Sequence, residues 1–138
     1  MKYNIERFIK IQKEDYAMAL KEIKNGRKRT HWMWYIFPQL KGLGTSAMAQ
    51  YYGLENLEEA KEYYNNDYLR KNLLEITKAL LSLDNTNIES ILGYPDNLKL
   101  LSCMTLFEIV DKNENVFSQI LDKYYKGKRD TNTIHLIK

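Results

Sequence analysis

A chain of 138 residues with 44% hydrophobic and 28% charged residues, two prolines and six glycines has the composition of one globular domain, long enough to build a core without staples. That balance excludes a disordered chain, and a longest apolar run of about seven residues excludes a membrane-spanning helix. A net charge of +3, from 21 basic and 18 acidic residues, is too mild for a broad nucleic-acid face, so nucleic acid is the least favoured partner.

Cys103 is the single cysteine, which rules out an internal disulfide and points to a reducing compartment. Met1 to Glu14 mixes charges throughout and lacks the apolar run of a signal peptide, so the expected location is the cytoplasm, away from any membrane.

In chain order, Ile5, Phe8, Ile9 and Gln12 are spaced for one helical face and Tyr16, Ala19, Leu20 and Ile23 for a second. This predicts a helical hairpin stopped by Gly26. Thr30 is placed to cap a short helix from His31 to Phe37, which Pro38 ends because the residue before proline is pushed out of the α region. Lys41 to Thr45 reads as a glycine loop, and Ser46 caps a helix from Ala47 to Tyr52. Asn56-Leu57-Glu58-Glu59 fits a capping box opening a helix to about Tyr64, broken by Asn65, Asn66 and Asp67.

Leu69, Leu73, Ile76 and Leu80 then mark a long helix ending near Ser82. Asn87 caps a short helix to Leu92, and Gly93-Tyr94-Pro95 is a turn leaving Asp96 as the next cap. The helix from Asn97 to about Val110 is expected to turn Leu98, Leu101, Met104 or Thr105, and Phe107 inward. After a loop at Asp111 to Glu114, a helix from Asn115 to Tyr125 ends before Gly127, and Asp130 caps a last one from Thr131 to Ile137. Runs of β-branched residues with turns at both ends are absent, as are repeats and low-complexity tracts. The expected fold is all-α, a compact single domain over residues 1–138 with eight or nine short helices.

Thr30 to Ser46 is the unusual stretch. It holds both tryptophans, and Trp32 to Phe37 is too apolar to be left in water, so it is either buried or a site. Neighbours on a helix lie about 100° apart, so Trp32 and Tyr35 share a face while Trp34 looks elsewhere, free to line a cavity and stack on a ring. Plain core packing is the competing reading. Gln39, after the proline, can read an amide or base edge, or simply bond within its loop.

Lys24, Arg27, Lys28 and Arg29 precede this stretch and could meet a phosphate or carboxylate; otherwise they complement a helix end. His31 suits a general base or hydrogen-bond partner near neutral pH, and equally a structural helix end. A second constellation is Lys99, Ser102, Cys103, Met104 and Thr105, in which Lys99, Ser102 and either Cys103 or Met104 have helical spacing that can project a cation and a hydroxyl into one place. Cys103 as a nucleophile would need a partner base that the sequence does not offer, so a buried, inert thiol is favoured. No GxSxG, HExxH, P-loop or GxGxxG is present, and two histidines with one cysteine do not make a usual zinc site, so neither metal nor cofactor is expected.

His31-Trp32-Met33-Trp34-Tyr35-Ile36-Phe37-Pro38-Gln39, then Gly42-Leu43-Gly44 and Ser46, with Lys99-Leu100 and Ser102-Cys103-Met104-Thr105-Leu106-Phe107, resembles the domain-of-unknown-function family numbered 1810. The likeness covers nearly the whole chain. It implies a compact multihelical bacterial protein and no established activity. The name calpastatin, sometimes given to members, denotes a disordered inhibitor and does not suit this composition. Cys103 stands where the family usually has a second serine, and Asn66-Asp67 where His-Pro is usual.

Together the residues point to a site for a small anionic, nucleotide-like ligand such as an ADP-ribose derivative, bound, processed or sequestered. Lys28, Arg29 and Lys99 would offset its charge, Trp32 or Trp34 would stack, and His31, Gln39, Ser102 and Thr105 would orient it. The alternative is a protein-interaction module with an exposed aromatic patch and no pocket.

Overall fold

The structure, a computed structural model, describes residues 3–137. Among the described residues there are nine helices, α1 Glu6–Lys24, α2 Met33–Ile36, α3 Ala47–Tyr52, α4 Leu57–Asn65, α5 Asp67–Leu81, α6 Ile88–Leu92, α7 Asp96–Val110, α8 Val116–Tyr125 and α9 Thr131–Leu136. The fold is all-α, as expected, and its only extended pairing among those residues is one parallel bridge between Leu40 and Leu54. No described helix is long and apolar enough to cross a membrane.

The expected hairpin over residues 5–26 is instead the single helix α1. No glycine, proline or turn dipeptide separates its two apolar faces, so the helix continues and simply drifts from one neighbour to another. Gly26, at φ +82°, ends it as expected. Asn56 caps α4 by accepting the Glu59 N–H at 2.9 Å, but the reciprocal half of the box is shifted by one residue, with Glu59 accepting from the Glu55 N–H at 2.7 Å. Asn66 does more than break the chain, since its side chain accepts the Leu69 N–H and caps α5.

The centre of the molecule is α7, packed against α4, α6, α8 and α9. Leu100, Cys103, Met104, Leu106 and Phe107 are all fully buried there. Leu98, expected inward, is 47% exposed and Leu101 is only half-buried, because both line an open groove on one side of α7. The other layer is α1 against α5, with α5 bridging to α8. Between these layers runs a line of rings, Tyr35 to Tyr52 at 5.1 Å, Tyr52 to Phe8 at 5.8 Å, Phe8 to Tyr63 at 5.0 Å and Tyr63 to Phe107 at 5.6 Å. Ring separations of this size suit tilted and edge-on packing.

Gln12 is the polar hub of that core. Its side-chain amide donates to the Tyr35 carbonyl at 2.8 Å and the Tyr63 hydroxyl at 2.9 Å, and it accepts from Asn72 at 3.0 Å. One buried side chain thereby ties α1 to α2, α4 and α5, with its amide satisfied on both sides.

Candidate functional site

Glu22, on α1, shapes the approach to the aromatic stretch. Its carboxylate accepts the backbone N–H groups of Arg29 (2.7 Å) and Thr30 (3.0 Å), the Thr30 hydroxyl (2.7 Å) and the Trp32 indole N–H (2.9 Å). Thr30 therefore does not cap α2; its hydroxyl is committed to Glu22, and α2 starts at Met33 rather than His31 with no side-chain cap. Trp32 is buried on this carboxylate and packs on Phe37 at 6.2 Å. Its ring is a core element.

Trp34, turned about 200° further round α2, points elsewhere and is half-buried. Its indole N–H is buried and has no acceptor among the described residues. The Lys99 ammonium lies 5.1 Å from the centre of its ring, within cation–π range. Asp96 holds that ammonium at 3.4 Å and also pairs with Lys28 at 3.0 Å, while Lys28 in turn lies 5.2 Å from the Trp32 ring. Asp96 is thus the first residue of α7 and an ion-pair centre, not the helix cap that local pattern suggests; Pro95 occupies the cap position. One carboxylate between two ammoniums leaves the cluster with a net positive charge.

After Pro38 the chain is clamped to the residues following α3. The Lys41 N–H donates to the Leu54 carbonyl at 2.7 Å and the Leu54 N–H to the Gln39 carbonyl at 2.9 Å. A Cβ on Gly53 would lie 2.7 Å from the Lys41 Cα, so glycine is what lets the two backbones approach. Gly44 is equally constrained, its Cβ position lying 2.7 Å from the Ala49 Cβ. These contacts set Gln39 facing Lys99. The Gln39 side-chain amide makes no hydrogen bond among the described residues.

Two spaces meet at Gln39 and Lys99. One is a hole of about 10 Å³, room for a single water, walled also by Met33, Trp34, Phe37 and Tyr52. The other is an open groove of about 350 Å³ between the glycine loop at Leu43 and Gly44, the first two turns of α7 at Leu98, Lys99, Leu101 and Ser102, and the start of α9 at Asp130 and Asn132. That volume is within the range of small-ligand sites.

Of the residues singled out by sequence, Trp34, Gln39, Lys99 and Ser102 meet at these two spaces, and Lys28 joins them through Asp96. The remainder lie apart. Arg29 is exposed, His31 is exposed with its carbonyl accepting from the Tyr35 hydroxyl at 3.2 Å, and Trp32 is turned into the core. Thr105 is fully buried, donating to the Leu101 carbonyl at 2.8 Å and accepting the Asp130 N–H at 2.9 Å. Cys103 is buried, and burial pushes its thiol well above the ordinary range, which makes it inert. Among the described residues no three His, Cys, Asp or Glu side chains cluster as a metal site would need.

Sequence reasoning missed Glu22, Asp96 and Asp130 as site-building residues. The spacing of Asp96 and Lys99, three apart on one helix, signals an ion pair, but nothing local places Lys28 on the same carboxylate. The basic cluster at residues 24–29 divides: Lys24, Arg27 and Arg29 are solvated and only Lys28 turns in, its side chain 8% exposed. Near the C-terminus Arg129 is held by Glu108 at 3.0 and 2.5 Å and Lys123 by the carbonyls of Leu81 and Leu83.

Among solved structures, the chain is similar to the conserved hypothetical protein Rv1873 from Mycobacterium tuberculosis, with 42% identity and a TM-score of 0.96 over 99% of this chain and 98% of that one. No curated protein matches it. A family model matches residues 2–137, so the chain belongs to the family described as Protein of unknown function (DUF1810).

Proposed function

We propose that the groove beside Gln39, Lys99 and Ser102 binds a small anionic, nucleotide-like ligand, of which an ADP-ribose derivative is one example, either to process or to sequester it. The observation that carries this reading is Lys99: its ammonium is held by Asp96 above the Trp34 ring and lies at the wall shared by the hole and the groove. A cation already held in place loses less side-chain entropy when a phosphate or carboxylate arrives, and the second ammonium, Lys28, offsets the Asp96 charge. Gln39, with an unengaged amide, supplies a donor and an acceptor at the same wall. Trp34 supplies an unpartnered N–H and an aromatic face. Arg29, His31 and Thr105 make no contact with the ligand in this version of the site.

Isothermal titration with ADP-ribose, ADP and AMP tests it. Binding that weakens at least about tenfold in Lys99→Ala is expected, the loss of one charge-assisted contact. No heat from any of the three at millimolar concentration, or equal binding by Lys99→Ala, would overturn it.

A second reading, docking of a protein partner, is favoured by Tyr94 and Leu98, which are 71% and 47% exposed beside the groove mouth formed by Pro95 and Leu98. A partner peptide would then bury those two side chains, and its binding would respond to Leu98→Ser more than to Lys99→Ala.

A further inference from the structure

The groove also carries a group that a simple anion site does not call for. Asp130 lines it, opposite in charge to Lys99. Asp130 is tightly placed. Its N–H donates to the Thr105 hydroxyl at 2.9 Å, and its Oδ2 accepts from the Ser102 hydroxyl (3.0 Å), the Thr133 N–H (3.1 Å) and the Thr133 hydroxyl (2.5 Å). All three donors fall on one oxygen. Oδ1 makes no hydrogen bond among the described residues, so a carboxylate already oriented by its other oxygen retains full acceptor capacity.

Lys99 and Ser102 are three residues apart on α7, about one helical turn, and Ser102 donates to Asp130, so the cation and the carboxylate line the same groove. A bare phosphate would gain at Lys99 and be repelled by Asp130. A ligand with an anionic group at one end and hydroxyl donors at the other satisfies both. We propose that Asp130 reads hydroxyl groups, and that the groove is therefore specific for phosphorylated polyols of the ribose class over phosphates that lack the hydroxyls. This rests on the reading of the groove as an anion site. Carboxylates accept ribose hydroxyls by the same charge-assisted bond in dinucleotide-binding folds. Thr105, out of reach of any ligand, becomes a positioning residue, because it fixes the Asp130 backbone.

The test is calorimetric, with two pairs of probes on the intact chain: ribose 5-phosphate against 2-deoxyribose 5-phosphate, and AMP against 2′,3′-dideoxy-AMP. The hydroxylated member of at least one pair should bind about tenfold or more tightly than its partner, one charge-assisted hydrogen bond. Asp130→Asn keeps a side chain of equal capping strength, so it should fold, lose most of that discrimination and bind the deoxygenated probes no worse. Lys99→Ala should weaken every probe. Equal affinity within both pairs, with binding still dependent on Lys99, overturns the role of Asp130 and leaves the anion site standing. Absence of binding by all four probes, or binding indifferent to Lys99→Ala, overturns the anion site and this inference together. Should Asp130→Asn not fold, Asp130→Ser, which also caps a helix, replaces it, and discrimination that survives intact in the folded variant overturns the role of Asp130.

Discussion

The Trp32 indole N–H donates to the Glu22 carboxylate at 2.9 Å, and that single bond separates the two tryptophans of the chain. Trp32 is a buried structural ring with its polar atom satisfied, whereas Trp34, two residues on, is half-buried with its own N–H unpartnered. Their substitutions should differ. Trp32→Phe removes one of the four donors to the Glu22 carboxylate and leaves a cavity, and should cost about 3 kcal/mol. Trp34→Phe removes a group that has no partner, so urea denaturation should find it within about 1 kcal/mol of wild type while ligand binding weakens.

Glu22 makes stability depend on pH. Burial alone would raise its carboxyl, but the Thr30 hydroxyl, the Arg29 and Thr30 backbone N–H groups and the Trp32 indole outweigh that and hold it at about 2, against an ordinary 4.5. The folded value is below the unfolded one, so this stabilisation is complete above about pH 4.5 and is lost as the pH falls from there towards 2. It amounts to about 3 kcal/mol. Glu22→Gln should therefore unfold in less urea than wild type at pH 7, and the gap between them should shrink at pH 3.

Asp96 joins Lys28 and Lys99 at 3.0 and 3.4 Å, and the Lys28 side chain is 8% exposed. Asp96→Asn leaves a nearly buried ammonium without its counter-charge and should cost about 2 kcal/mol, less than a fully desolvated pair because Asp96 keeps some exposure. Adding Lys28→Met should recover part of that loss, which a double-mutant cycle by chemical denaturation would measure.

Gly53→Ala should be among the more harmful small substitutions. The new Cβ would fall 2.7 Å from the Lys41 Cα and 2.8 Å from the Ala49 carbonyl oxygen, both backbone, so the bridge that sets Gln39 has to shift. About 2 kcal/mol of destabilisation is expected, together with weaker ligand binding. Gly26→Ala meets nothing within 4 Å and should cost about 1 kcal/mol, from its positive φ alone and without effect on binding.

Cys103 should be silent to thiol reagents in the native protein. It is fully buried and burial holds it protonated, so labelling by a disulfide reagent should follow global opening and become fast only in denaturant.

Helix existence and most caps were legible because they are local. Ser46, Asn56, Asn87 and Asp130 each accept a backbone N–H three residues on, and that motif is contained in four residues of sequence. The two-face pattern of residues 5–23 was misleading for a related reason: periodicity records which residues are buried, and one helix meeting two neighbours looks like two helices. Asp96 failed differently. Its position before a helix has the form of a cap, but a nearby ammonium from a distant part of the chain took the carboxylate.

By itself the sequence determined an all-α chain with its apolar mass at Trp32 to Phe37 and along α7, because burial and capping act over one or two turns. Tertiary structure decided which of the singled-out side chains share a space. Glu22 drew Thr30 and Trp32 into the framework, Thr105 was spent on Asp130, and His31 stayed in solvent, while Trp34, Gln39, Lys99 and Ser102 came to line adjoining spaces. Those outcomes depend on partners far apart in the chain, and no local pattern encodes which distant carboxylate a cation, hydroxyl or indole will find.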